Sequence, residues 1–294
     1  MKQEKFSATA LLFPSLLMAL IVLGYPVLEL LNTSTHSVNK FFNVGDFVLF
    51  QNYLNLFQDE FFRAALVRTL WWTLGVVGGT VFLSFPIALI LNEEFYGQAL
   101  ARTIILLPWA VSLTIMAVVW RWALNGESGL LNLTLQSLGI THDRIQWLAE
   151  ASTSFPMSIL IGVLVSIPFC VTVLLGGLSS LQKDVYEAAR VDGATGLLMF
   201  RHITLPMMKP FISIAVVLNV IYVFNSFPIL WVLTEGGPVN STDVLVTYLY
   251  KATSAKFFGD PGKGAALGII MLIMLLIFSL VYARVAKEGD EVRA

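Results

Sequence analysis

The sequence predicts an all-α polytopic membrane protein with six transmembrane helices, and three observations support this prediction. Of the 294 residues, 57% are hydrophobic and only 13% are charged, and the mean hydropathy is +0.78. A soluble domain carries about a quarter charged residues. Six stretches are long and apolar enough to cross a bilayer as helices, each of which needs about 20 residues. The apolar composition also excludes a disordered chain.

We expect one transmembrane domain over residues 1–294. The predicted spans are Ala8–Leu31, Ala64–Leu91, Thr103–Leu124, Phe155–Leu178, Pro210–Leu233 and Gly264–Ala286. The first apolar run is too long for a secretory signal peptide and lacks a convincing small-residue cleavage site, so we expect it to be retained. Gly45–Phe62 is expected to contain a short amphipathic helix on the outer membrane surface. Residues 179–209 form a long polar inner loop.

Six spans place both termini on the same side of the membrane. Ten of the 18 Lys and Arg residues fall in the segments that lie inside if the termini are cytoplasmic, although these segments are the shorter ones. The positive-inside rule therefore favours cytoplasmic termini. Tryptophans cluster at span ends on the proposed outer face, as in an interfacial belt. They are Trp71, Trp72, Trp120, Trp122 and Trp231.

The composition and motifs exclude several kinds of chemistry. A net charge of −1 gives no reason to expect nucleic acid as a partner. The single cysteine, Cys170, cannot form an intramolecular disulfide or a cysteine-rich metal site. The three histidines, His36, His142 and His202, do not have metal-ligand spacing. The sequence has no Walker A motif, so this chain is not expected to bind ATP itself. We expect no catalytic residue, no metal ion and no cofactor on this chain.

The spans contain almost no ionisable residue near the middle of the membrane. A proton- or sodium-driven carrier usually holds a carboxylate or a histidine there. The driving force is therefore expected to enter from outside the spans. Two other kinds of protein are alternatives to a transporter that is driven from outside its spans. One is an ATP-independent channel or ion-coupled carrier. The other is a membrane-embedded enzyme, which would need a group of polar catalytic residues that the spans lack.

The inner loop is expected to form two short helices at an angle. Glu187–Arg190 predicts a helix, and Asp192-Gly193 predicts its end because glycine tolerates the backbone angles of a helix terminus. A second short helix should follow and stop near Pro206. With the small side chains of Ala188 and Ala189, the loop could enter a groove on a partner. An amphipathic loop that rests on the membrane is the other interpretation.

Two spans carry a set of polar, small or aromatic residues on one helical face. On the fifth span, with i, i+3 and i+7 spacing, these are Asn219, Tyr222 and Ser226. On the fourth span, with i, i+4 and i+7 spacing, they are Gly162, Ser166 and Phe169. Pro168 interrupts the backbone hydrogen bonding there, and broken helices often line binding sites. These faces should point to other helices or to a wet cavity, and both interpretations remain open.

The string Glu187-Ala188-Ala189-x-x-x-Gly193, followed by Ile203-x-Leu205-Pro206, resembles the cytoplasmic signature of permease subunits of binding-protein-dependent ABC importers. Other pieces resemble the sugar-importer branch, which is related to the maltose-transport membrane subunit, and cover nearly the whole chain. They are Leu107-Pro108-Trp109, Trp120-Arg121-Trp122, Gln146-Trp147-Leu148, Phe224-Asn225-Ser226-Phe227 and Leu233–Pro238. Gln182 departs from the family, in which many members carry proline before the motif.

The resemblance implies a transport subunit whose energy comes from a partner that binds ATP and Mg and hydrolyses ATP. The residues implied to dock on that ATPase are Glu187, Ala188, Ala189, Asp192, Gly193, Ala194, Leu205 and Pro206. The implied assembly contains a second permease subunit, usually a different one, two ATPase subunits and an extracytoplasmic substrate-binding protein. Its location would be the cytoplasmic (inner) membrane of a bacterium or an archaeon.

The resemblance also implies a carbohydrate site on the two spans that flank the inner loop. The matching positions are Gly162, Ser166, Phe169, Asn219, Tyr222, Val223 and Ser226. Amides and hydroxyls suit the hydroxyl groups of a sugar, and aromatic rings suit its C–H faces. Because this set contains no Arg or Lys, a phosphorylated or strongly anionic substrate is not expected here. This subunit, its partner or both could hold the sugar.

Overall fold

A computed structural model describes residues 12–254, 256–257 and 259–291, with backbone only for 283 and 285–291. The helices are α1 (Leu12–Thr35), α2 (Gln51–Gln58), α3 (Glu60–Asn92), α4 (Gln98–Leu106), α5 (Leu113–Ala123), α6 (Leu130–Ser137), α7 (Ala151–Ser179), α8 (Lys183–Val191), α9 (Gly196–Phe224), α10 (Phe227–Thr234), α11 (Leu245–Thr253) and α12 (Pro261–Glu291). The strands β1 (His36–Val38) and β2 (Val44–Phe47) form an antiparallel pair. The chain divides into unit 1, Met1–Arg63 with Tyr248–Leu276, and unit 2, Ala64–Thr247 with Ile277–Ala294.

Among the described residues, five helices are long and apolar enough to cross a membrane: α1, α3, α7, α9 and the Pro261–Tyr282 part of α12. A sixth span results if α4 and α5 are counted together, because Gln98–Ala110 and Leu113–Ala123 pass the same test as a pair bent by 95°. The predicted all-α polytopic class is confirmed. The first predicted span begins at Ala8, which lies outside the described residues.

The third predicted span, Thr103–Leu124, is not one straight helix. A 3-10 turn over Leu107–Ala110 follows α4, and Ser112 then adopts an extended backbone. The Ser112 hydroxyl oxygen accepts a hydrogen bond from the Ile115 N–H at 3.3 Å, which is the usual way to start a new helix. The turn and the new N-cap together explain the bend.

The fifth predicted span, Pro210–Leu233, is also two helices, since α9 ends at Phe224 and α10 begins at Phe227. Pro228 lies in the first turn of α10, where proline is favoured because no helical N–H is needed. Ser226 therefore lies beyond the end of α9. The spacing had predicted that Ser226 shares a helical face with Asn219 and Tyr222, and this prediction is wrong. In the fourth predicted span, by contrast, α7 continues through Pro168 without a break.

Close glycine contacts pack the core of unit 2. A Cβ on Gly79 would lie 2.8 Å from Val163 Cγ2, and one on Gly75 would lie 3.1 Å from Ile159 Cγ2, so α3 packs closely against α7. A Cβ on Gly177 would lie 2.4 Å from Phe211 Cγ, which brings α7 equally close to α9. Helix α5 packs on α10 in the same unit.

Unit 1 holds a polar cluster at the start of α12. The Lys263 ammonium group forms an ion pair with Asp59, and the Tyr248 hydroxyl donates a hydrogen bond to Asp59 Oδ2 at 2.7 Å. Partial burial acts to raise the pKa of Asp59, but hydrogen bonds from Lys263 and Tyr248 and the positive charge outweigh it, so the pKa lies below its usual value. The ionised carboxylate thus stabilises this part of the fold.

Candidate functional site

The first group of candidate residues lies on α8 and in the turn after it. The Gly193 N–H donates to the Arg190 carbonyl at 3.1 Å, and the Ala194 N–H donates to the Ala189 carbonyl at 2.9 Å. Gly193 has a φ of 79°, in the left-handed region. This pair of bonds around a left-handed glycine is a Schellman motif. The predicted helix end at Asp192-Gly193 is confirmed.

The turn presents several candidate residues on the surface of the chain. The exposed ones are Glu187, Ala188, Asp192 and Gly193, while Ala189 and Ala194 are half-buried. Tyr186 points to the other side, and its hydroxyl lies 3.0 Å from Thr204 Oγ1 on α9. Two apolar side chains that the sequence analysis did not single out, Val191 and Leu197, are also exposed beside the turn. These two residues could have been found from the sequence, because they are apolar residues within the most polar loop of the chain.

The prediction that a second short helix stops near Pro206 is wrong, because α9 runs from Gly196 to Phe224. Residues Phe200–Thr204 form a π-helical turn, in which the Leu205 N–H donates to the Phe200 carbonyl, five residues back. Proline cannot donate in a helix and its ring crowds the preceding turn, and the wider π turn directly before Pro206 accommodates it. Leu205 and Pro206 therefore lie well inside α9 and not in the turn after α8.

The second group of candidate residues surrounds a cavity of about 250 Å³ in unit 2. Its lining residues are Trp109, Val165, Ser166, Phe169, Leu218, Asn219 and Tyr222. Four of the seven predicted substrate residues are among them, namely Ser166, Phe169, Asn219 and Tyr222. Helices α7 and α9 supply six of the lining residues, and the turn after α4 supplies Trp109. Side chains from the fourth and fifth predicted spans thus meet around one space.

Together with Ser166, Asn219 is one of the two polar, non-aromatic residues that line this cavity. Its side chain is fully buried, and neither Nδ2 nor Oδ1 has a hydrogen-bond partner among the residues that the structure describes. A buried polar group without a partner costs about 1–3 kcal/mol. An amide can both donate and accept. The nearby Ser166 hydroxyl donates to the Gly162 carbonyl at 2.8 Å, so its oxygen can still accept a hydrogen bond.

Aromatic rings form much of the remaining cavity wall. The ring centroids of Trp109 and Phe169 are 5.8 Å apart with an interplanar angle of 47°. Trp109 is half exposed, and Tyr222 lines the cavity from α9. The sequence analysis did not predict Trp109 as a site residue, although Pro108 next to it was a signal for a break in the span. None of the seven lining residues is charged.

The other three predicted substrate residues do not line the cavity. Gly162 packs against α3, since a Cβ there would lie 2.8 Å from both Trp72 and Val76. The Val223 carbonyl accepts a hydrogen bond from Trp72 Nε1 at 3.0 Å, and Ser226 is buried beyond the end of α9. Trp72 is itself buried, so it does not belong to the interfacial belt in which it was predicted.

The loop after α5 is ordered by its own hydrogen bonds. Asn132 Nδ2 donates to the carbonyls of Gly126 and Ile145, at 2.9 and 3.0 Å, and Asn132 Oδ1 accepts from Trp147 Nε1 at 2.9 Å. An exposed ion pair joins Arg144 to Glu127 at 2.9 Å on the same loop. A preorganised loop of this kind can dock a partner without a large ordering cost. Among the described residues there is no group of three or more metal-ligating side chains.

The comparisons with known proteins agree with one another. The family described as "binding-protein-dependent transport system inner membrane component" matches residues 80–288. A probable ABC transporter permease protein of Brucella suis is 53% identical over 96% of both chains. The trehalose/maltose transport system permease protein MalF of Thermococcus litoralis is 32% identical over 94% of this chain and 92% of its own. The crystal structure of a bacterial alginate ABC transporter, in complex with a periplasmic protein bound to an alginate pentasaccharide, contains a chain with a TM-score of 0.80 and 25% identity, covering 97% of this chain and 96% of that one.

Proposed function

The chain belongs to the binding-protein-dependent transport system inner membrane components, which are the permease subunits of ABC importers, and from this premise we propose that it forms the translocation path for a neutral carbohydrate. The observation on which this proposal rests is the cavity in unit 2, which is lined by Asn219 and by three aromatic residues. Among the described residues, the Asn219 amide has no hydrogen-bond partner. Such rings cover the C–H faces of a sugar while the amide bonds its hydroxyl groups.

The proposed substrate is uncharged because no lining residue is charged. A carboxylated or phosphorylated sugar in an apolar cavity would keep an unpaired charge, which is far more costly than an unpaired hydroxyl. The relative from Thermococcus litoralis is named for trehalose and maltose, which are neutral disaccharides. The structural neighbour is named for alginate, which is an acidic polysaccharide. The uncharged lining of this cavity favours the first of these two substrate types.

In the proposed assembly, this chain pairs with a second, different permease subunit and with two ATPase subunits that bind ATP and Mg. An extracytoplasmic binding protein would deliver the sugar to the loops after α5 and α10. None of the apolar stretch of α1 is buried within the chain. This exposure supports contact of α1 with lipid or with a membrane-embedded partner. Both termini are proposed to be cytoplasmic, in agreement with the distribution of Lys and Arg.

We propose that the turn after α8 is the docking point for the ATPase. Glu187 and Ala188 are exposed on α8, and Asp192 and Gly193 are exposed on the turn that the Schellman motif fixes. An exposed carboxylate beside small and apolar side chains offers a partner both a charge and a surface that it can approach closely. Closure of the two ATPase subunits on ATP would then move this turn and open the cavity to the other side.

The docking role is tested by a charge reversal, Glu187→Lys, with Asp184→Lys as the matched control on the same helix. Both carboxylates are exposed, but only Glu187 lies beside the turn. In proteoliposomes, Glu187→Lys should lower ATP hydrolysis that depends on the binding protein by about tenfold or more, the equivalent of ~1.4 kcal/mol lost at the contact. Asp184→Lys should leave it nearly unchanged. Equal effects of the two variants would contradict the docking role.

The carbohydrate role is tested by ATP hydrolysis of the reconstituted complex with its binding protein and a panel of neutral and acidic sugars. Stimulation by a neutral sugar is expected. Tyr222→Leu should raise the sugar concentration needed for transport, whereas Tyr282→Leu on α12, outside the cavity lining, should not. Sugar uptake that continues without ATP would support the alternative, a channel or ion-coupled carrier, and would overturn the proposal.

A further inference from the structure

The segment that joins α1 to α3 exposes several large apolar side chains, and Phe41 is 76% exposed. Hydrogen bonds hold the segment in place, since Asn52 Nδ2 donates to the carbonyls of Ser34 and His36 at 2.9 Å and the Ser34 hydroxyl lies 2.8 Å from the Tyr53 hydroxyl. Apolar surface is favourable only when it is removed from water, so we expect these exposed apolar side chains to be covered by an environment other than water.

The hairpin between β1 and β2 presents two adjacent rings at its tip. Asn39 Oδ1 accepts hydrogen bonds from the N–H groups of Phe41 and Asn43, at 2.9 and 3.0 Å, which orders the tip. Phe42 has a φ of 64°, a left-handed conformation that is unfavourable for a residue with a bulky side chain. Both rings are exposed, and Lys40 precedes them, also exposed. The tip therefore holds apolar groups and a cation at fixed positions on one edge.

Helix α2 continues the same kind of surface. Phe50 at its N-cap, Leu54 and Phe57 have i, i+4 and i+7 spacing, and each is more than half exposed. The opposite face, which includes Leu56, is buried within unit 1. Helix α2 contains no charged residue, and neutral amides such as Gln51 and Gln58 flank the exposed stripe. One apolar face of α2 thus packs within unit 1, and the exposed apolar stripe is suited to the boundary between water and hydrocarbon, where an interfacial helix buries its apolar side chains.

We propose that Phe41, Phe42, Phe50, Leu54 and Phe57, here called the aromatic surface, lie in the interfacial layer of the bilayer. In this arrangement the rings reach the headgroup–acyl boundary and the Lys40 ammonium group pairs with lipid phosphate. Continuity with the spans supports lipid as the occupant, because His36 directly follows α1 and α3 begins two residues after α2. The segment therefore starts and ends where two apolar helices leave the membrane. The proposal depends only on the chain being a membrane protein and not on its substrate.

The test is a depth measurement by spin labelling of the membrane-embedded importer complex in nanodiscs, without the binding protein that is proposed to dock on the loop after α10. Cys170 is buried and is replaced by alanine, and single cysteines are introduced as Phe41→Cys or Leu54→Cys. Collisions of the spin label with oxygen, which concentrates in the bilayer, are compared with collisions with a water-soluble nickel chelate. Val239→Cys is the control, since Val239 is 95% exposed in the loop after α10 and outside the aromatic surface.

The expected result is that oxygen dominates at positions 41 and 54 and that the nickel chelate dominates at position 239. Two results would overturn the proposal. Dominance of the nickel chelate at positions 41 and 54 would place the aromatic surface in water. Low accessibility to both reagents would mean that a protein partner covers it. If the Phe41→Cys chain fails to assemble, the Leu54→Cys chain decides the outcome alone.

Discussion

Replacement of Asn219 by leucine should keep or raise the stability of the protein and should lower the rate of sugar uptake. The structure buries both amide atoms of Asn219 without a partner among the described residues, at a cost of about 1–3 kcal/mol. Leucine has a similar size and no polar atom, so Asn219→Leu removes this cost and should raise the thermal midpoint of the detergent-solubilised complex or leave it unchanged. If Asn219 instead held helices together, the same change would lower the midpoint.

The loss of transport follows from the same two atoms. If a sugar bonds both Nδ2 and Oδ1, and each bond contributes about 0.5–1.5 kcal/mol, the variant loses ~1–3 kcal/mol of substrate binding. This free energy corresponds to a roughly 5- to 150-fold fall in the kcat/KM of uptake. Uptake of labelled sugar into proteoliposomes measures it, and the thermal midpoint is measured on the same preparation.

Asn132 provides a matched control, because it is equally buried but fully hydrogen-bonded. Asn132→Leu should lower the midpoint, since it leaves two carbonyls and one indole N–H without their partner. Opposite signs for the two leucine variants would identify Asn219 as a residue kept for a ligand. A lower midpoint for both, or unchanged uptake by Asn219→Leu, would refute the reasoning.

The other predictions concern adjacent or charged positions. Gly177→Ala should destabilise the chain by about 1–3 kcal/mol, because its Cβ would lie 2.4 Å from a ring of α9, whereas Gly176→Ala meets nothing within 4 Å and should be neutral or slightly stabilising in thermal melts. Gly193→Ala should cost about 1–2 kcal/mol in the left-handed turn and lower ATP hydrolysis that depends on the binding protein, with an unchanged amount of inserted chain as the control. Because the pKa of Asp59 is lowered, its stabilising contribution is present above the ordinary carboxyl pKa of about 3.9 and is lost as the pH falls through the lower folded value. Asp59→Asn should therefore melt below wild type at pH 7, and the two midpoints should converge in acid; a constant difference across pH would argue against the role of the ion pair with Lys263.

Periodicity and composition predicted those features of the fold that depend on local sequence. The apolar stretches and the glycine turn after α8 are of this kind, because a run of apolar residues or an Asp-Gly pair acts through its own backbone. The bend at Leu107–Ser112 depends on which side chain caps the next helix. The turn at Asn225-Ser226 placed Ser226 off the face that its spacing had predicted.

Four of the residues that line the cavity were predicted because they also depend on local helical spacing. Ser166 and Phe169 share one face of a continuous helix, as do Asn219 and Tyr222, so spacing alone brings each pair to one side. Trp109 reaches the cavity only because the chain bends after α4, and no periodic pattern encodes that bend. Gly162 has the correct spacing too, but its small size serves contact with Trp72 and not a ligand.

Because of the π turn at Phe200–Thr204, the number of residues in α9 sets the directions in which its two ends face as well as the length of the helix. Each residue of an α-helix advances the side chain by about 100°, and a π turn is equivalent to one inserted residue. Removal of a single amino acid there would restore regular α-helix and rotate everything on its N-terminal side by roughly that angle relative to Asn219. The chain would still cross the membrane, but α8 would point in a different direction from the cavity. If the turn after α8 docks the ATPase as proposed, this one-residue deletion should therefore lower transport more than many substitutions do.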